Sequence, residues 1–199
     1  MSEWTSPLVL ASGSARRLEM LQTVGVPVEA HPSNADETFA AGTTAEDAVG
    51  MLARRKAADV AARHEGRVIL AADTLVRVGD ELLGKPADPT DASRMLRLMA
   101  GRWHEVLTGV ALVKDGEVRE RLSVTRVRLV DITEPEIARY IAGSEPYDKA
   151  GGYGIQAVAG WFIAEINGSY SNVMGLPLEE VRQLFAEAGL PLPRLGSPS

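Results

Sequence analysis

The run Val68-Ile-Leu-Ala-Ala72 is unbroken in its apolar character and stops at Asp73-Thr74. A strand with one wet face alternates apolar and polar residues, whereas a continuous apolar run suits a strand covered on both faces. Such a strand needs packed layers above and below it, which points to helices flanking a sheet. A chain of 199 residues, 45% of them hydrophobic, is long enough to build one core, or one core with a lobe.

The flanking segments supply those layers. Leu8 to Ala11 reads as a short buried strand, and Ser14 can cap a helix from Ala15 to Val24 that Gly25 and Pro27 close. Pro27 to His31 is extended, and Ser33 to Thr43 forms a polar loop holding Asp36 and Glu37. Thr44 can cap a long helix reaching His64, with Val49, Leu52, Ala53 and Val60 as its apolar stripe and Lys56 on the same stripe. After the strand ending at Asp73-Thr74, Val76 and Val78 lead into a Gly79-Asp80 hairpin turn, and Leu82 to Pro86 returns. Asp88 to Met99 is helical. Val106 to Val113 and Val118 to Val130 form a long antiparallel hairpin around Asp115-Gly116, a pair suited to a type I′ turn. Thr133 to Ile141 reads as a capped helix, Ala157 to Ile166 as a strand and Pro177 to Ala188 as a helix. The expectation is α/β with a mixed sheet, one domain over residues 1–190 and a flexible Pro/Gly/Ser-rich tail over 191–199.

Charge narrows the function classes. The net charge is −6, so a broad electrostatic grip on nucleic acid is not expected, although a local basic pocket is compatible with it. With no cysteine there is no disulfide and no thiolate metal site. Met1 to Pro7 lacks the pattern of a signal peptide, and no segment has the apolar length of a membrane span, so a cytoplasmic protein with no membrane partner is expected.

Three places carry candidate chemistry. The stretch Ala11-Ser-Gly-Ser-Ala-Arg-Arg17 leaves the first strand through small residues and opens a helix with two arginines. Acidic residues are usual at that end, because its free N–H groups carry partial positive charge. Arg16 and Arg17 are instead suited to holding an anion there, with the hydroxyls of Ser12 and Ser14 and the helix N–H groups as further donors. The bland reading is a solvated helix start; a Walker P-loop is absent. Asp73 follows a buried strand, the place where open α/β sheets bind ligands, and it could bind Mg²⁺ or act on a water. Its bland reading is a turn aspartate. Lys56 and Lys85 could add ammonium groups to a phosphate pocket, and acids of the 33–43 loop could serve a metal; each signal alone is weak. Gly152-Tyr-Gly-Ile-Gln-Ala157 matches a dinucleotide fingerprint but follows no strand, and His31, His64 and His104 show no ligand spacing.

Taken together the motifs resemble the Maf-like nucleotide pyrophosphatase family over about residues 7–189: "LASGSARRLEML", "ADE" at 35–37, "ARRKA" at 53–57, "AADT" at 71–74, "LGKP" at 83–86, "GRWHEVLTGV" at 101–110 and "GLPLEEV" at 175–181. The stretches "EPYDKAGGYGIQ" at 145–156 and "INGSYSNVMGLP" at 166–177 are similar to the dTTP/UTP pyrophosphatase branch. Ala15 stands where the family usually has proline, which loosens helix entry without removing a chemical group.

The resemblance implies an elongated α/β fold of the Maf/ITPase-like kind, with a strongly twisted mixed sheet flanked by helices and two lobes with a cleft between. It implies hydrolysis of a nucleoside triphosphate to monophosphate and pyrophosphate, dependent on a divalent cation, Mg²⁺ or Mn²⁺. Carried over by motif, the proton acceptor is Asp73, and the phosphate and metal groups are Ser12, Arg16, Arg17, Glu37, Lys56 and Lys85. Arg16, Thr74 and Gln156 bear on substrate choice. The roles of base and metal ligand both stay open for Asp73. The Gln156 amide offers an acceptor beside a donor, which matches the imide edge of uracil or thymine. The alternatives are the sister branch that prefers 7-methyl-GTP, and a nucleotide-sensing regulator of cell division and septum formation that binds without turnover. A homodimer is compatible with this reading.

Overall fold

A computed structural model of the chain describes residues 4–156 and 158–192. The expected tail falls mostly on residues 193–199, which lie outside the described residues.

In chain order the elements are β1 (Leu8–Leu10), α1 (Ala15–Thr23), β2 (Val28–Ala30), α2 (Ala45–Ala61), β3 (Ile69–Val78), β4 (Glu81–Leu83), α3 (Pro89–Met99), β5 (Trp103–Lys114), β6 (Glu117–Leu129), α4 (Glu134–Ile141), β7 (Ile163–Asn167), α5 (Tyr170–Val173) and α6 (Leu178–Glu187). Short 3₁₀ turns at Glu145–Asp148, Ala150–Gly152 and Val158–Phe162 lie between α4 and β7. The helix starts follow local chemistry. Thr44 accepts a hydrogen bond from the Asp47 N–H ahead of α2, and Asp88 accepts one from the Asp91 N–H ahead of α3. Glu136 reaches back to the Thr133 N–H at 2.8 Å, closing the start of α4.

The sheet has seven strands in the order β2-β1-β3-β5-β6-β7, with β4 paired to β3. β1 runs parallel to β2 and β3, whereas β4 and β7 run antiparallel to β3 and β6. The sheet is therefore mixed, as its sequence implied. Asp115 and Gly116 both hold positive φ, 52° and 80°, the backbone of a type I′ turn joining β5 to β6.

Two segments depart from expectation. β3 does not stop at Asp73-Thr74 but runs on to Val78, where Gly79-Asp80 turns it into β4. A polar pair breaks an apolar run only when its groups must reach water, and the Asp73 carboxylate instead meets an ammonium group inside the protein. The expected strand Ala157 to Ile166 begins only at Ile163. The N–H groups of Val158 and Ala159 face the Glu145 carboxylate at 3.1 and 3.4 Å, so this part is coiled into a 3₁₀ turn rather than paired in the sheet.

The chain divides into two compact units. The first holds residues up to Asp73, Thr108–Leu122 and the chain from Gly175; the second holds Thr74–Leu107 and Ser123–Met174. In the first, Val9, Ala11, Ile69 and Ala71 of the sheet side pack with Ala53, Ala57 and Val60 of α2. Small residues let the helix lie close: a Cβ on Gly109 of β5 would fall 2.5 Å from the Val49 carbonyl oxygen. In the second, Met95, Leu96 and Met99 of α3 pack with Val76, Val127, Leu129, Ile137 and Phe162.

Candidate active site

In the first unit, β1 ends at Leu10, opposite Leu70 of β3. Beyond that pair β3 carries on while the other chain turns off through Ser12-Gly13-Ser14 into α1. Asp73 thus lies past the C-terminal end of the parallel pair, although within a continuous strand. Asp73 keeps its expected position beyond the parallel pair, but β3 does not end there.

Ser12 is buried, 8% exposed, and its Oγ accepts from the Ser14 N–H at 3.2 Å and from Arg17 Nη1 at 3.3 Å. Ser14 is the N-cap of α1 but makes no side-chain cap hydrogen bond, and the first turn holds no acid. Arg17 spans three pieces of chain. Its Nε donates to the Gly175 carbonyl at 2.7 Å and its Nη1 to the Ala72 carbonyl at 2.7 Å, one residue before Asp73. Burial pulls its pKa below the usual arginine value, with Asp73 opposing and the like charge of Arg16 adding to the shift. A guanidinium with five donors in a rigid fork suits such bridging. Arg16 stands half-buried beside it in the same turn.

Lys56 projects from the apolar stripe of α2. Its side chain is 11% exposed, and Nζ lies 2.5 Å from Asp73 Oδ1 and 3.0 Å from Glu37 Oε1. Asp73 is equally sheltered, at 9%, while Glu37 is open to solvent at 56%. One ammonium so removed from water requires paired anions, and two carboxylates converge on it. Asp36, the neighbour of Glu37, is used differently. Its carboxylate accepts from the Thr38 N–H and hydroxyl at 2.9 and 2.7 Å, which holds its pKa below the usual carboxylate range.

The 33–43 loop carrying Glu37 is fastened to α2 by residues that sequence reasoning missed. Arg55 Nη1 donates to the Thr38 carbonyl at 2.6 Å. Asp59 accepts from the Asn34 N–H at 2.9 Å and the Ser33 hydroxyl at 2.8 Å, which lowers its pKa, and Arg63 donates to Asp59 and to the Pro32 carbonyl. The signal was present: positions 55, 59 and 63 recur every four residues and so share one helix face.

The remaining candidates lie in the second unit. Thr74 follows Asp73 in β3, half-buried, and strand alternation turns its side chain to the opposite face of the sheet. Lys85 is exposed in the loop after β4, and Gln156 is exposed on a turn. The Gly151 N–H donates to the Gly84 carbonyl at 2.9 Å, which brings the Lys85 loop against the segment leading to Gln156.

No group of three His, Cys, Asp or Glu side chains that could hold a metal occurs among the described residues. Two carboxylates converging on one cation nevertheless suit Mg²⁺, which takes one or two protein carboxylates and completes its shell from water and phosphate oxygens. Glu37 and Asp73 are two such carboxylates, both within reach of the Lys56 ammonium. Among the described residues no helix is long and apolar enough to cross a membrane.

A dTTP/UTP pyrophosphatase of Myxococcus xanthus is 49% identical over 187 residues, covering 94% of each chain. One from Halalkalibacterium halodurans is 46% identical over 172 residues, covering 86% of this chain and 90% of its own. Among solved structures, the Ham1 protein of Staphylococcus aureus shares the fold with a TM-score of 0.52 at 13% identity, covering 92% of this chain and all of its own. The Coxiella burnetii HAM1 protein does so with a TM-score of 0.51 and the same identity and coverage. Residues 7–188 match the family described as Maf-like protein, and the chain belongs to that family.

Proposed function

We propose that the protein hydrolyses UTP and dTTP to the monophosphate and pyrophosphate. The observation that carries this is the Lys56 ammonium bridging Asp73 and Glu37, with Arg17 joining the Ser12 turn to the residue before Asp73. The substrate is supported by the relatives named dTTP/UTP pyrophosphatase at 44–49% identity.

In this reading Ser12, Ser14, Arg16 and the N–H groups opening α1 bind the phosphates, while Arg17 holds the turn in shape and adds positive charge. Lys56 and Lys85 contribute further cationic groups. A water attacks the α-phosphorus, forming a new P–O bond, and Asp73 accepts its proton. The bond from the α-phosphorus to the bridging oxygen breaks, and pyrophosphate leaves with that oxygen and the electron pair. Glu37 and Asp73 would hold a divalent cation, Mg²⁺ or Mn²⁺, which supplies charge neutralisation on the phosphates when bound. Gln156 reads the base: its carbonyl accepts from N3–H and its amide donates to the adjacent carbonyl of uracil or thymine. Cytosine presents an acceptor at N3, so one of these bonds is lost.

A pyrophosphate-release assay with UTP, dTTP, CTP, GTP and 7-methyl-GTP tests the reading. UTP and dTTP should be used with similar kcat/KM, because one methyl group is worth only about 1–3 kcal/mol in a tailored pocket. Highest activity on 7-methyl-GTP would move the protein to the sister branch. Tight UTP binding without pyrophosphate release would make it a sensor.

A further inference from the structure

Gln156 is exposed and on a turn, yet a hydrogen-bonding side chain discriminates bases only when its backbone is held still. The chain on both sides of it is tied to one carboxylate. On the C-terminal side, the N–H groups of Val158 and Ala159 donate to Glu145 at 3.1 and 3.4 Å. On the N-terminal side, the Gly154 N–H acts on the Tyr140 hydroxyl to oppose the rise of its pKa, and that hydroxyl donates to Glu145 Oε1 at 3.0 Å. Burial, reinforced by the neighbouring Glu145 charge, raises the Tyr140 pKa, so its hydroxyl stays a donor throughout the working pH range. Glu145 is itself located by its own main chain, whose carbonyl accepts from Lys149 Nζ at 2.7 Å.

We infer that Glu145 is a positioning residue for base selection, fixing the Gln156 turn from both ends through the Val158 and Ala159 N–H groups and the Tyr140 hydroxyl. Nothing in the phosphate chemistry requires this carboxylate. Its hydrogen-bond donors Tyr140, Val158 and Ala159 lie within the second unit, on α4 and on the segment that follows it. The three donors are shared between both carboxylate oxygens, whereas a neutral amide at the same place keeps one acceptor oxygen and turns an NH₂ donor toward the other donors. The inference rests on the reading that Gln156 contacts the base.

The test is a double-mutant cycle on the whole chain, with kcat and KM measured for UTP and CTP. Gln156→Ala should lower kcat/KM for UTP by roughly five- to a hundredfold, the effect of losing two hydrogen bonds, and that for CTP much less, so the UTP/CTP ratio falls. Glu145→Gln should lower the same ratio by roughly five- to thirtyfold, mostly through a higher KM for UTP, by loosening those bonds. Tyr140→Phe, which removes one tie and leaves the carboxylate, should do so more weakly; it serves if Glu145→Gln fails to fold. In the Gln156→Ala background neither change should move the ratio further. A ratio unchanged in both Glu145→Gln and Tyr140→Phe, whatever their thermal stability, overturns the inference. So does a ratio that falls as far without Gln156 as with it. If Gln156→Ala leaves the ratio intact, the base-reading assignment fails first and the inference falls with it.

Discussion

The two units hold their candidate residues by different means. In the first, Lys56, Asp73, Glu37 and Arg17 are charged side chains, and Lys56 pairs two carboxylates while nearly closed to water. In the second, the segment before β7 is held by one carboxylate, Glu145, that gathers main-chain N–H groups and the Tyr140 hydroxyl, beside the buried His104–Tyr153 pair. On the proposed reading the first arrangement concentrates charge where charge moves during reaction. On the same reading the second fixes shape, which is what choosing among similar bases requires. Changing one charge should therefore cripple the first unit's chemistry, whereas the second should respond through stability and selectivity.

The largest expected effect is Asp73→Asn. The change is nearly isosteric but removes the charge that pairs with Lys56 and that the proposed mechanism uses to accept a proton. Turnover should fall about 10²–10⁴-fold while far-ultraviolet circular dichroism stays native. Retention of most of kcat would remove Asp73 from the chemistry and leave the ion pair as scaffolding only.

The second unit offers a contrasting test in acid. His104 is 2% exposed, with Nε2 at 2.6 Å from the Tyr153 hydroxyl, and burial lowers its pKa from 6.5 to about 4. The folded protein thus keeps this ring neutral at pH values where the unfolded chain protonates it. Its contribution is complete above pH 6.5 and is lost as the pH falls toward 4. At about 1.4 kcal/mol per pH unit the loss amounts to about 3 kcal/mol. His64 is shifted in the same direction, so the comparison must be made with His104→Gln rather than with a calculated curve. Urea unfolding of that variant should show a flatter pH profile between 7 and 4. An unchanged slope would mean that His104 is not the group responsible. The lowered carboxylates Asp36 and Asp59 act in a different window, losing their contribution as the pH falls below the usual carboxylate range.

What the sequence makes legible divides by the reach of each contact rather than by unit. Elements specified by neighbours in sequence were legible: the Asp115-Gly116 turn, the Thr44 cap of α2 and the Lys56 position on its apolar stripe. Features set by distant partners were not. The passage of β3 through Asp73 depends on an ammonium 17 residues away, and the coiling of Val158–Phe162 depends on a carboxylate 13 residues earlier. Arg17 could be recognised as an anion-binding type of residue, but its bonds to the carbonyls of Ala72 and Gly175 join segments that no local pattern relates. Asp36 and Glu37 look alike in sequence; the hydrogen bonds of Thr38 to Asp36 assign one to the loop and leave the other to Lys56.

The smallest expected effect asks whether the first unit also relies on main-chain anchoring. Glu37 is solvent-exposed, so its approach to Lys56 depends on the loop that carries it. Asp59 holds the start of that loop through the Asn34 N–H and the Ser33 hydroxyl. Asp59→Asn keeps the size of the side chain but weakens both bonds and the pairing with Arg63. The residues of the reaction itself are untouched, so kcat at saturating Mg²⁺ should stay close to that of the wild type. The cost should appear in the Mg²⁺ concentration needed for half-maximal activity. Partners that orient a metal ligand are commonly worth about 10–100-fold in affinity, and an anchor acting on a solvent-exposed carboxylate should fall at or below the low end, roughly three- to tenfold. The same change should leave the UTP/CTP ratio alone, because the Gln156 turn proposed to read the base belongs to the other unit. A shifted ratio with an unshifted Mg²⁺ requirement would reverse the division of labour between the two units. No shift in either would show that Glu37 reaches its place without the Asp59 anchor, and that charge pairing alone organises the first unit.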